Sequence, residues 1–472
     1  MSFTRDLAWQ NLELSYRSSI AYQYARYGLV LRFNLLPPEV VHEAKRCLLD
    51  ALACAVEGYE VPGRPICEAV SRELGGTEEA TVIGSGFRTS TLNAALVNSF
   101  PVRSRDHNDL GGGGHNADSI ASILAVSERE KAGGRDFLTS LVISYELGAR
   151  VAESPEGGFG GFDARGWTSD VRGGLTIPPS LGRLMGMTEA QIANAIGICA
   201  SHSLPLAILD SNREENTMAR NIRFGWVAHD AILACMLAKR GFTGPVRIVE
   251  GDCGWRQVLL NGEMDLERLT DFSGWRILNT KHKYLPANSS TQGHIMATLG
   301  IVRENNLKPE DIVSVKITAG PREARHTTTL AKKYPRSSEN ADHSAFYANA
   351  IAIKEQTFGP ESNRPEKLND PVVLDLIDKI TVEADPTLPD MSLRGVSEIT
   401  TRDGRRFKKI VDTPHGFGDD LLTDGELEDK FRGAAKKYIE AKQIRKIFDT
   451  VWNIEKVDDI GLLTKLMIFP PK

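Results

Sequence analysis

Apolar residues recur every three or four positions along much of this chain, and this period constrains the fold more than any other feature. Val41, Ala44 and Leu48 would share one face of a helix that ends at Gly58. Strand-like alternation is nearly absent over residues 35–260. The period therefore predicts a large helical unit in the first part of the chain.

Capping residues mark several helix starts. Thr188 and Thr423 are each followed three residues later by Gln or Glu, which is the pattern of a capping box. In that pattern the threonine hydroxyl accepts a hydrogen bond from a backbone amide that the helix leaves free. The second box predicts a helix over residues 427–441, and Asp118 is expected to cap another helix.

Period-two alternation, which is typical of half-buried strands, appears only later in the chain. It is first visible over residues 313–317. Residues 396–401 and 405–411 then flank Asp403-Gly404, a pair that tolerates positive φ and predicts a hairpin.

Together these patterns predict a mostly α, α+β fold, and 472 residues allow two or three domains at roughly 150 residues each. Residues 1–275 and 415–472 are expected to form a large helical domain. Residues 276–414 are expected to form a smaller α+β lid domain inserted into it.

Composition excludes several classes of protein. The 57 Lys and Arg residues nearly balance 62 Asp and Glu residues, whereas a nucleic-acid binder usually carries a basic excess. No apolar run approaches the ~20 residues of a membrane span, and the first residues lack the apolar stretch of a signal peptide. The six cysteines are scattered, as in a reducing compartment. We expect a cytoplasmic protein with no membrane or nucleic-acid partner.

Cofactor motifs are absent from the sequence. There is no Gly-x-Gly-x-x-Gly after a strand, no Walker-type Gly-Lys-Ser/Thr and no Gly-x-Ser-x-Gly elbow. The cysteines form no Cys-x-x-Cys, so the usual spacings for an iron–sulfur cluster or structural zinc are missing. We therefore expect no organic cofactor and no metal.

A glycine-rich stretch carries the most unusual chemistry. Four glycines, residues 111–114, lie between the carboxylates Asp106 and Asp109 and the imidazole of His115. Glycine allows a backbone to approach a ligand closely, and Asp and His are candidate general acids and bases. A flexible surface loop with solvated charges is an equal interpretation. A metal site of Asp106, Asp109 and His115 is weaker, because no His-x-x-x-His spacing supports it.

Three other segments have both a functional and a structural interpretation. Residues 281–286 are basic and lie at the expected domain junction, where they form either a solvated linker or part of a pocket. Asp342 and His343 either cap a helix or belong to a site. Arg220 and Arg223 suit carboxylate or phosphate capture, although most arginines face solvent.

In this order, the segments resemble the MmgE/PrpD family, which includes 2-methylcitrate dehydratases, cis-aconitate decarboxylases and an iminodisuccinate epimerase. The resemblance spans about residues 35–440. The segments that carry it are Leu36-Pro37-Pro38-Glu39-Val40, Asp106-His107-Asn108-Asp109, Gly114-His115-Asn116-Ala117-Asp118, Gly241-Phe242-Thr243-Gly244-Pro245, Lys283-Tyr284-Leu285-Pro286-Ala287, Ala341-Asp342-His343-Ser344 with Tyr347, and Lys430-Phe431-Arg432.

The resemblance implies a homodimer that acts on small di- or tricarboxylates without a cofactor, in a cleft between a helical domain and a lid. It implies catalytic roles for Asp106, His115, Lys283 and Tyr347. It also implies substrate-binding roles for Asn108, Asp109, Arg220, Asp342 and His343. The chain departs from the family pattern at Leu110, Asn116, Ala117 and Arg220, and these departures concern the exact substrate.

The expected reaction is dehydration of a hydroxylated polycarboxylate such as 2-methylcitrate or citrate. Lys283 and Arg220 would bind carboxylates, and His115 would transfer the proton. Asp106 would either orient His115 or protonate the departing hydroxyl, which requires a raised pKa. A decarboxylase, an epimerase and a non-catalytic carboxylate binder are the alternatives.

Overall fold

The computed structural model of the chain describes residues 2–111, 114–156, 158, 160–211, 214–390 and 392–470. The predicted change from helix to mixed structure is confirmed. In the first part of the chain the elements are α1 (Ser2–Arg17), α2 (Ile20–Val30), α3 (Pro38–Glu57), α4 (Gly63–Leu74), β1 (Ala80–Thr81), β2 (Arg88–Thr89), α5 (Thr91–Arg103), α6 (Ile120–Arg129), α7 (Gly134–Glu153), α8 (Gly160–Asp163), α9 (Gly173–Leu184), α10 (Glu189–His202), α11 (Met218–Lys239), α12 (Trp255–Val258) and α13 (Leu266–Thr270).

The middle of the chain mixes helices with strands, and the last part is helical again. The middle elements are α14 (Gln292–Glu304), β3 (Ile312–Ala319), α15 (Pro321–Thr327), α16 (Leu330–Lys333), α17 (Ser338–Ala341), α18 (Ala345–Glu355), α19 (Pro371–Asp378), β4 (Ile380–Ala384), β5 (Gly395–Thr401) and β6 (Arg406–Val411). The last elements are α20 (Asp424–Ala435), α21 (Ala441–Trp452) and α22 (Gly461–Leu466).

Local chemistry explains where several elements begin and end. Pro38 occupies the first turn of α3, where its missing N–H costs nothing, and Gly58 follows the last turn. The capping boxes at Thr188 and Thr423 are both formed. In the predicted hairpin of β5 and β6, Gly404 has a φ of 84°, a conformation that glycine adopts without strain.

Two predicted helix boundaries are wrong. Asp118 lies inside a 3-10 turn, Asn116–Ser119, and its carboxylate accepts a hydrogen bond from Asn108 instead of capping α6. The helix expected over residues 427–441 is divided between α20 and α21. Between the two helices, Tyr438 stacks on Phe469, with the ring centroids 5.1 Å apart.

The strands of the middle part form one sheet in the order β4-β3-β5-β6. β3 pairs in parallel with β4 and antiparallel with β5, and β5 pairs antiparallel with β6. Ile312, Val315 and Ile317 of β3 are buried, while the alternate Ser314 and Lys316 are exposed. The predicted alternation is confirmed at Val315 and Ile317 but is wrong at Val313, which is exposed because the register shifts between Ile312 and Ser314.

Buried apolar side chains form two clusters within the described residues. The larger cluster draws on residues between 20 and 277 and between 422 and 469, and the smaller one on residues between 285 and 399. The division into a helical domain and an inserted lid domain remains a prediction, and this packing supports it. None of the described helices is long and apolar enough to cross a membrane.

Candidate active site

The candidate site begins where α5 ends. The amide of Asp106 donates a hydrogen bond to the carbonyl oxygen of Arg103, 3.1 Å away, and Asp106 has a φ of 47°. This left-handed conformation costs a residue with a side chain about 1–2 kcal/mol. Strain of this kind is typical of functional loops, where the surrounding structure imposes it.

A backbone bridge between Leu110 and Lys281 joins the loop that follows α5 to the segment that connects the two apolar clusters. The amide of Leu110 donates to the carbonyl of Lys281, and the amide of Lys281 donates to the carbonyl of Leu110, each over 2.8 Å. Lys283 lies two residues beyond the bridge. The bridge therefore holds Lys283 beside Asp106 although they are 177 residues apart in the chain.

Four basic side chains surround the Asp106 carboxylate. Lys283 Nζ lies 3.1 Å from Oδ1 and also donates to the backbone carbonyl of Asp106 over 2.6 Å. Arg220 Nη2 and His115 Nε2 each lie 3.9 Å from Oδ1, and His343 Nε2 lies 3.7 Å from Oδ2. The structure thus brings together residues from four separate predicted segments.

The charge of Asp106 follows from these neighbours. Burial by itself raises the pKa of a carboxyl group, but the charges of Lys283 and Arg220 outweigh it and hold the pKa of Asp106 below its usual range. Asp106 is therefore ionised at neutral pH. It lacks the raised pKa that protonation of a departing hydroxyl would require, and it suits the other expected role of holding its neighbours in position.

His115 is a neutral imidazole with one free nitrogen. Its Nδ1 lies 2.7 Å from the carbonyl oxygen of Asp109, which can only accept, so Nδ1 carries the proton. Burial and the positive charges of Arg103 and Lys283 hold the pKa of His115 well below its usual value. Nε2 therefore keeps its lone pair and can accept a proton, and it lies 3.9 Å from Asp106 Oδ1.

The loop between α17 and α18 contributes two more side chains to the site, Asp342 and His343. Arg220 Nη2 donates to His343 Nε2 over 2.7 Å, so His343 is neutral and its Nδ1 donates to Asp342 Oδ1 over 2.5 Å. Asp342 Oδ2 is buried without a hydrogen bond. Burial raises the pKa of Asp342 to about 7 despite the attraction of Arg220. Asp342 is therefore a buried carboxyl that can carry a proton near neutral pH.

Arg220 is fixed from its other side as well. It lies in the first turn of α11, where its Nε donates to Asp210 Oδ1 over 2.7 Å. Arg223, one turn later, pairs with Asp170 and lies 3.3 Å from Asp210. These contacts aim Nη2 of Arg220 at His343 and Asp106, while Nη1 donates to Asn221 Oδ1 over 3.4 Å.

Asn108 and Asp109 have protein partners in this structure. Asp109 accepts hydrogen bonds from the hydroxyl of Tyr145 over 2.5 Å and from the amide of Ala117 over 3.1 Å. Asn108 donates to Asp118 over 3.0 Å. These contacts shape the loop between Asp106 and His115, and the substrate-binding role of both residues remains a prediction.

Tyr347 stands apart from the other predicted catalytic residues. Its hydroxyl donates to the carbonyl of Ser362 over 2.8 Å, and its ring belongs to the smaller apolar cluster. Within the described parts of the chain, no hydrogen bond joins it to Asp106, His115 or Lys283. Its catalytic role remains a prediction without a supporting contact.

The glycine-rich stretch is needed for close packing. Gly112 and Gly113 lie outside the described residues, while Gly111 and Gly114 exchange backbone hydrogen bonds of 3.0 and 3.2 Å. A Cβ atom on Gly114 would lie 2.6 Å from the guanidinium carbon of Arg172. Arg172 in turn donates to the carbonyl of His115 over 2.8 Å. The glycine at position 114 thus lets Arg172 support the backbone of His115.

One group of side chains next to the site offers metal ligands. Atoms of Glu43, Cys47 and His282 lie within 4.8 Å of one another. His282 Nε2 is 2.8 Å and Arg46 Nε 2.9 Å from the Glu43 carboxylate, and burial holds the pKa of the Cys47 thiol well above its usual value. The paired Glu43 carboxylate thus holds His282 in place, one residue before Lys283.

Sequence reasoning missed Arg103, Asp210 and Arg172. The signal for Arg172 was Gly114, whose missing side chain makes room for it. Asp210 gave no signal, because its pairing with Arg220 depends on how the chain folds back before α11. Arg103 ends α5 and is buried, with 3% of its surface exposed.

The chain matches models of both halves of a known family. The MmgE/PrpD N-terminal domain matches residues 22–267, and the MmgE/PrpD C-terminal domain matches residues 285–454. The similar proteins include a cis-aconitate decarboxylase-like protein of Aspergillus oryzae, 24% identical over 92% of this chain and 94% of that protein. They also include the cis-aconitate decarboxylase of Homo sapiens, 23% identical over 93% of this chain and 92% of that enzyme. The 2-methylcitrate dehydratase of Escherichia coli is 22% identical over 89% of this chain and 91% of that enzyme. The chain therefore belongs to the MmgE/PrpD family, as its motifs predicted.

Proposed function

We propose that this protein is a cofactor-independent hydro-lyase that removes water from a small hydroxylated di- or tricarboxylate, such as 2-methylcitrate or citrate. The observation that carries the proposal is the approach of two groups to one oxygen of Asp106. The neutral His115 Nε2 lies 3.9 Å from Oδ1, and the Lys283 ammonium lies 3.1 Å from it. A base and a cation this close can take a proton from a carbon and stabilise the charge that develops on its carboxylate.

The proton next to a carboxylate is hard to remove because negative charge accumulates on that group as the C–H bond breaks. In the proposed reaction, Lys283 and Arg220 hold the carboxylate and stabilise this charge in a buried site. Removing a single such donor typically costs about 10²–10³ in rate. His115 Nε2 accepts the proton, and Asp106 keeps Lys283 and His115 in position.

The proposed elimination then balances within the chain's own groups. The electron pair of the broken C–H bond forms the C=C double bond, and the C–O bond on the adjacent carbon breaks. The proton of Asp342 converts the departing hydroxide into water. This assigns proton removal to His115 and proton donation to Asp342, whose raised pKa allows it to hold a proton at neutral pH.

Ultraviolet absorbance of EDTA-treated protein tests the activity directly. With citrate, 2-methylcitrate or a related hydroxy acid, we expect absorbance to rise as a double bond conjugated to a carboxylate forms. The His115→Gln variant serves as the control for a contaminating dehydratase. Stabilisation of the protein by these acids without any product would identify a non-catalytic carboxylate binder instead.

A decarboxylase is the second candidate. Of the similar proteins, the human one is a cis-aconitate decarboxylase and the one of Aspergillus oryzae is a cis-aconitate decarboxylase-like protein. In that reaction the C–C bond to one carboxylate breaks, its electron pair moves into the carbon skeleton and a carbon takes up a proton. NMR in deuterated water separates the candidates. Elimination retains every carbon, decarboxylation loses one as CO2, and epimerisation leaves the skeleton intact with deuterium at the inverted carbon.

The pH profile is expected to report the two assigned groups. His115 must be neutral, so kcat/KM should hold down to a pH well below about 6.5 before it falls. Asp342 must be protonated, so kcat/KM should fall as the pH rises through about 7. We expect Asp342→Asn to lower kcat about 10²–10⁴-fold and to remove the alkaline fall, because an amide cannot deliver the proton.

Asp118→Asn is the matched control for that experiment. Burial raises the pKa of Asp118 to about 7 as well, but its carboxylate accepts from Asn108. We expect this variant to keep the alkaline fall. If the fall persisted in Asp342→Asn and vanished in Asp118→Asn, Asp342 would not be the proton donor.

A further inference from the structure

Arg103 is a buried cation without a counter-ion in the described parts of the chain. Only 3% of its surface is exposed, and its Nε and Nη1 atoms have no hydrogen-bond partner. No carboxylate oxygen of the described residues lies within 4.0 Å of its guanidinium nitrogens. Other fully buried arginines differ: Arg150, Arg172 and Arg220 each pair with a carboxylate, at 2.6, 3.2 and 2.7 Å.

Such an arrangement is unfavourable unless something else neutralises the charge. A guanidinium stays protonated in proteins even where burial lowers its pKa, as it does here. An uncompensated buried charge is expensive, so buried arginines are normally paired. Asp118 is a nearby carboxyl, but it is already held by Asn108 and its pKa is raised to about 7. Among the described residues, Arg103 therefore has no paired carboxylate to neutralise its charge.

The position of Arg103 indicates which anion would neutralise this charge. The carbonyl oxygen of Arg103 accepts a hydrogen bond from the amide of Asp106, so Arg103 lies at the start of the loop that carries Asp106. Its helix, α5, packs against α11, which carries Arg220, and against the 3-10 turn that follows His115. The positive charge of Arg103 also lowers the pKa values of His115 and Lys283. The charge of Arg103 thus acts on two residues of the candidate site, His115 and Lys283.

We propose that Arg103 binds a carboxylate of the substrate, distinct from the carboxylate held by Lys283 and Arg220, and so selects acids with three carboxylates over acids with two. This inference rests on the proposed function for the identity of the ligand. The Nε and Nη1 atoms of Arg103 each have an N–H group without a partner, and either group can donate a charge-assisted hydrogen bond to a carboxylate oxygen.

Binding of unreactive acids tests the proposal without turnover. The probes are tricarballylate, which has three carboxylates, and glutarate, which is the same chain without the middle one. By isothermal titration calorimetry we expect Arg103→Gln to weaken tricarballylate about ten- to a hundredfold, the range of a hydrogen bond to a charged group. Glutarate affinity should change less than about threefold, and Arg103→Lys should give an intermediate loss for tricarballylate.

Arg105→Gln is the matched control. Arg105 is also buried and has an unpartnered Nε, but the carboxylates that act most on its pKa are Glu361 and Glu57. We expect this variant to keep the preference for tricarballylate. Equal losses for both acids in Arg103→Gln, no loss for either, or no binding of tricarballylate to the wild type would each overturn the proposal.

The Tm of the protein without ligand distinguishes a binding role of Arg103 from a structural role, because the two roles predict different changes in Tm. Removing an unpaired buried charge should leave the Tm of Arg103→Gln unchanged or raised. A marked fall would identify Arg103 as a counter-ion of Asp118 and overturn the proposal. If Arg103→Gln lost the preference for tricarballylate but the wild type dehydrated none of the hydroxy acids, the carboxylate subsite would be supported. Only the proposed hydro-lyase activity would then be contradicted.

Discussion

Replacing His115 by glutamine is expected to lower kcat by about 10²–10⁴-fold, the usual contribution of a positioned general base. Glutamine can still donate a hydrogen bond to the carbonyl of Asp109, so the loop should keep its conformation. What the variant lacks is a lone pair that accepts a proton at neutral pH. Steady-state kinetics at saturating substrate, with the Tm and tricarballylate affinity measured alongside, separate loss of chemistry from loss of structure.

His107→Gln is the control for this substitution. His107 is buried eight residues away, and its Nδ1 lies 2.8 Å from Glu57 rather than near Asp106. Glutamine can still donate a hydrogen bond to Glu57, so we expect His107→Gln to keep the fold and to change kcat only a few fold. Near-normal turnover by His115→Gln would remove His115 from the mechanism.

Replacing Lys283 by methionine is expected to destabilise the fold by about 3–5 kcal/mol at neutral pH, the usual cost of removing one member of a buried ion pair. Lys283 and Asp106 are both 1% exposed, so solvent cannot take over the charge of the remaining carboxylate. Arg220 Nη2 stays 3.9 Å away and offsets only part of the loss. Turnover should fall as well, since the carboxylate of the substrate loses its cation. Urea denaturation of the variant and the wild type measures the stability difference.

The pH dependence of that difference identifies Asp106 as its cause. In the wild type the folded pKa of Asp106 lies below its unfolded value of about 3.9, so its stabilising contribution is present above that pH and is lost as the pH falls through the folded pKa. Without Lys283 the folded pKa of Asp106 is expected to rise, because its burial is then opposed by fewer positive charges. The destabilisation should therefore be largest near pH 7 and shrink towards pH 4, and Asp106→Asn in the same chain should restore stability. A difference independent of pH would exclude this origin.

The resemblance to the MmgE/PrpD family implied that Asp106, His115, Lys283 and Arg220 share one site, because the motifs occur in the order typical of that family. No single segment shows this by itself. The helical period and the Asp403-Gly404 pair predicted elements that depend mainly on local geometry, which neighbouring residues determine.

The remaining features depend on contacts between distant residues, which spacing does not report. The lowered pKa of Asp106 arises from Lys283, which lies 177 residues away. The hydroxyl of Tyr347 donates a hydrogen bond to the carbonyl of Ser362, fifteen residues later. The position of a tyrosine within a helix does not predict the hydrogen-bond partner of its hydroxyl. Arg103 carried no motif at all, and only its burial without a partner drew attention to it.

The backbone bridge between Leu110 and Lys281 bears on the order of events during a catalytic cycle. It fastens Lys283 to the larger cluster, whereas Asp342 and His343 come from the smaller cluster and contact the larger one through Arg220. If the clusters separate to admit substrate, the lysine and the imidazole of His115 stay in place, and Asp342, the proposed proton donor, moves with the smaller cluster. An arriving acid would meet its cation and its base first. The hydroxyl of the substrate could leave only after the two clusters closed again and brought Asp342 back. Loss of water would therefore follow enclosure of the substrate.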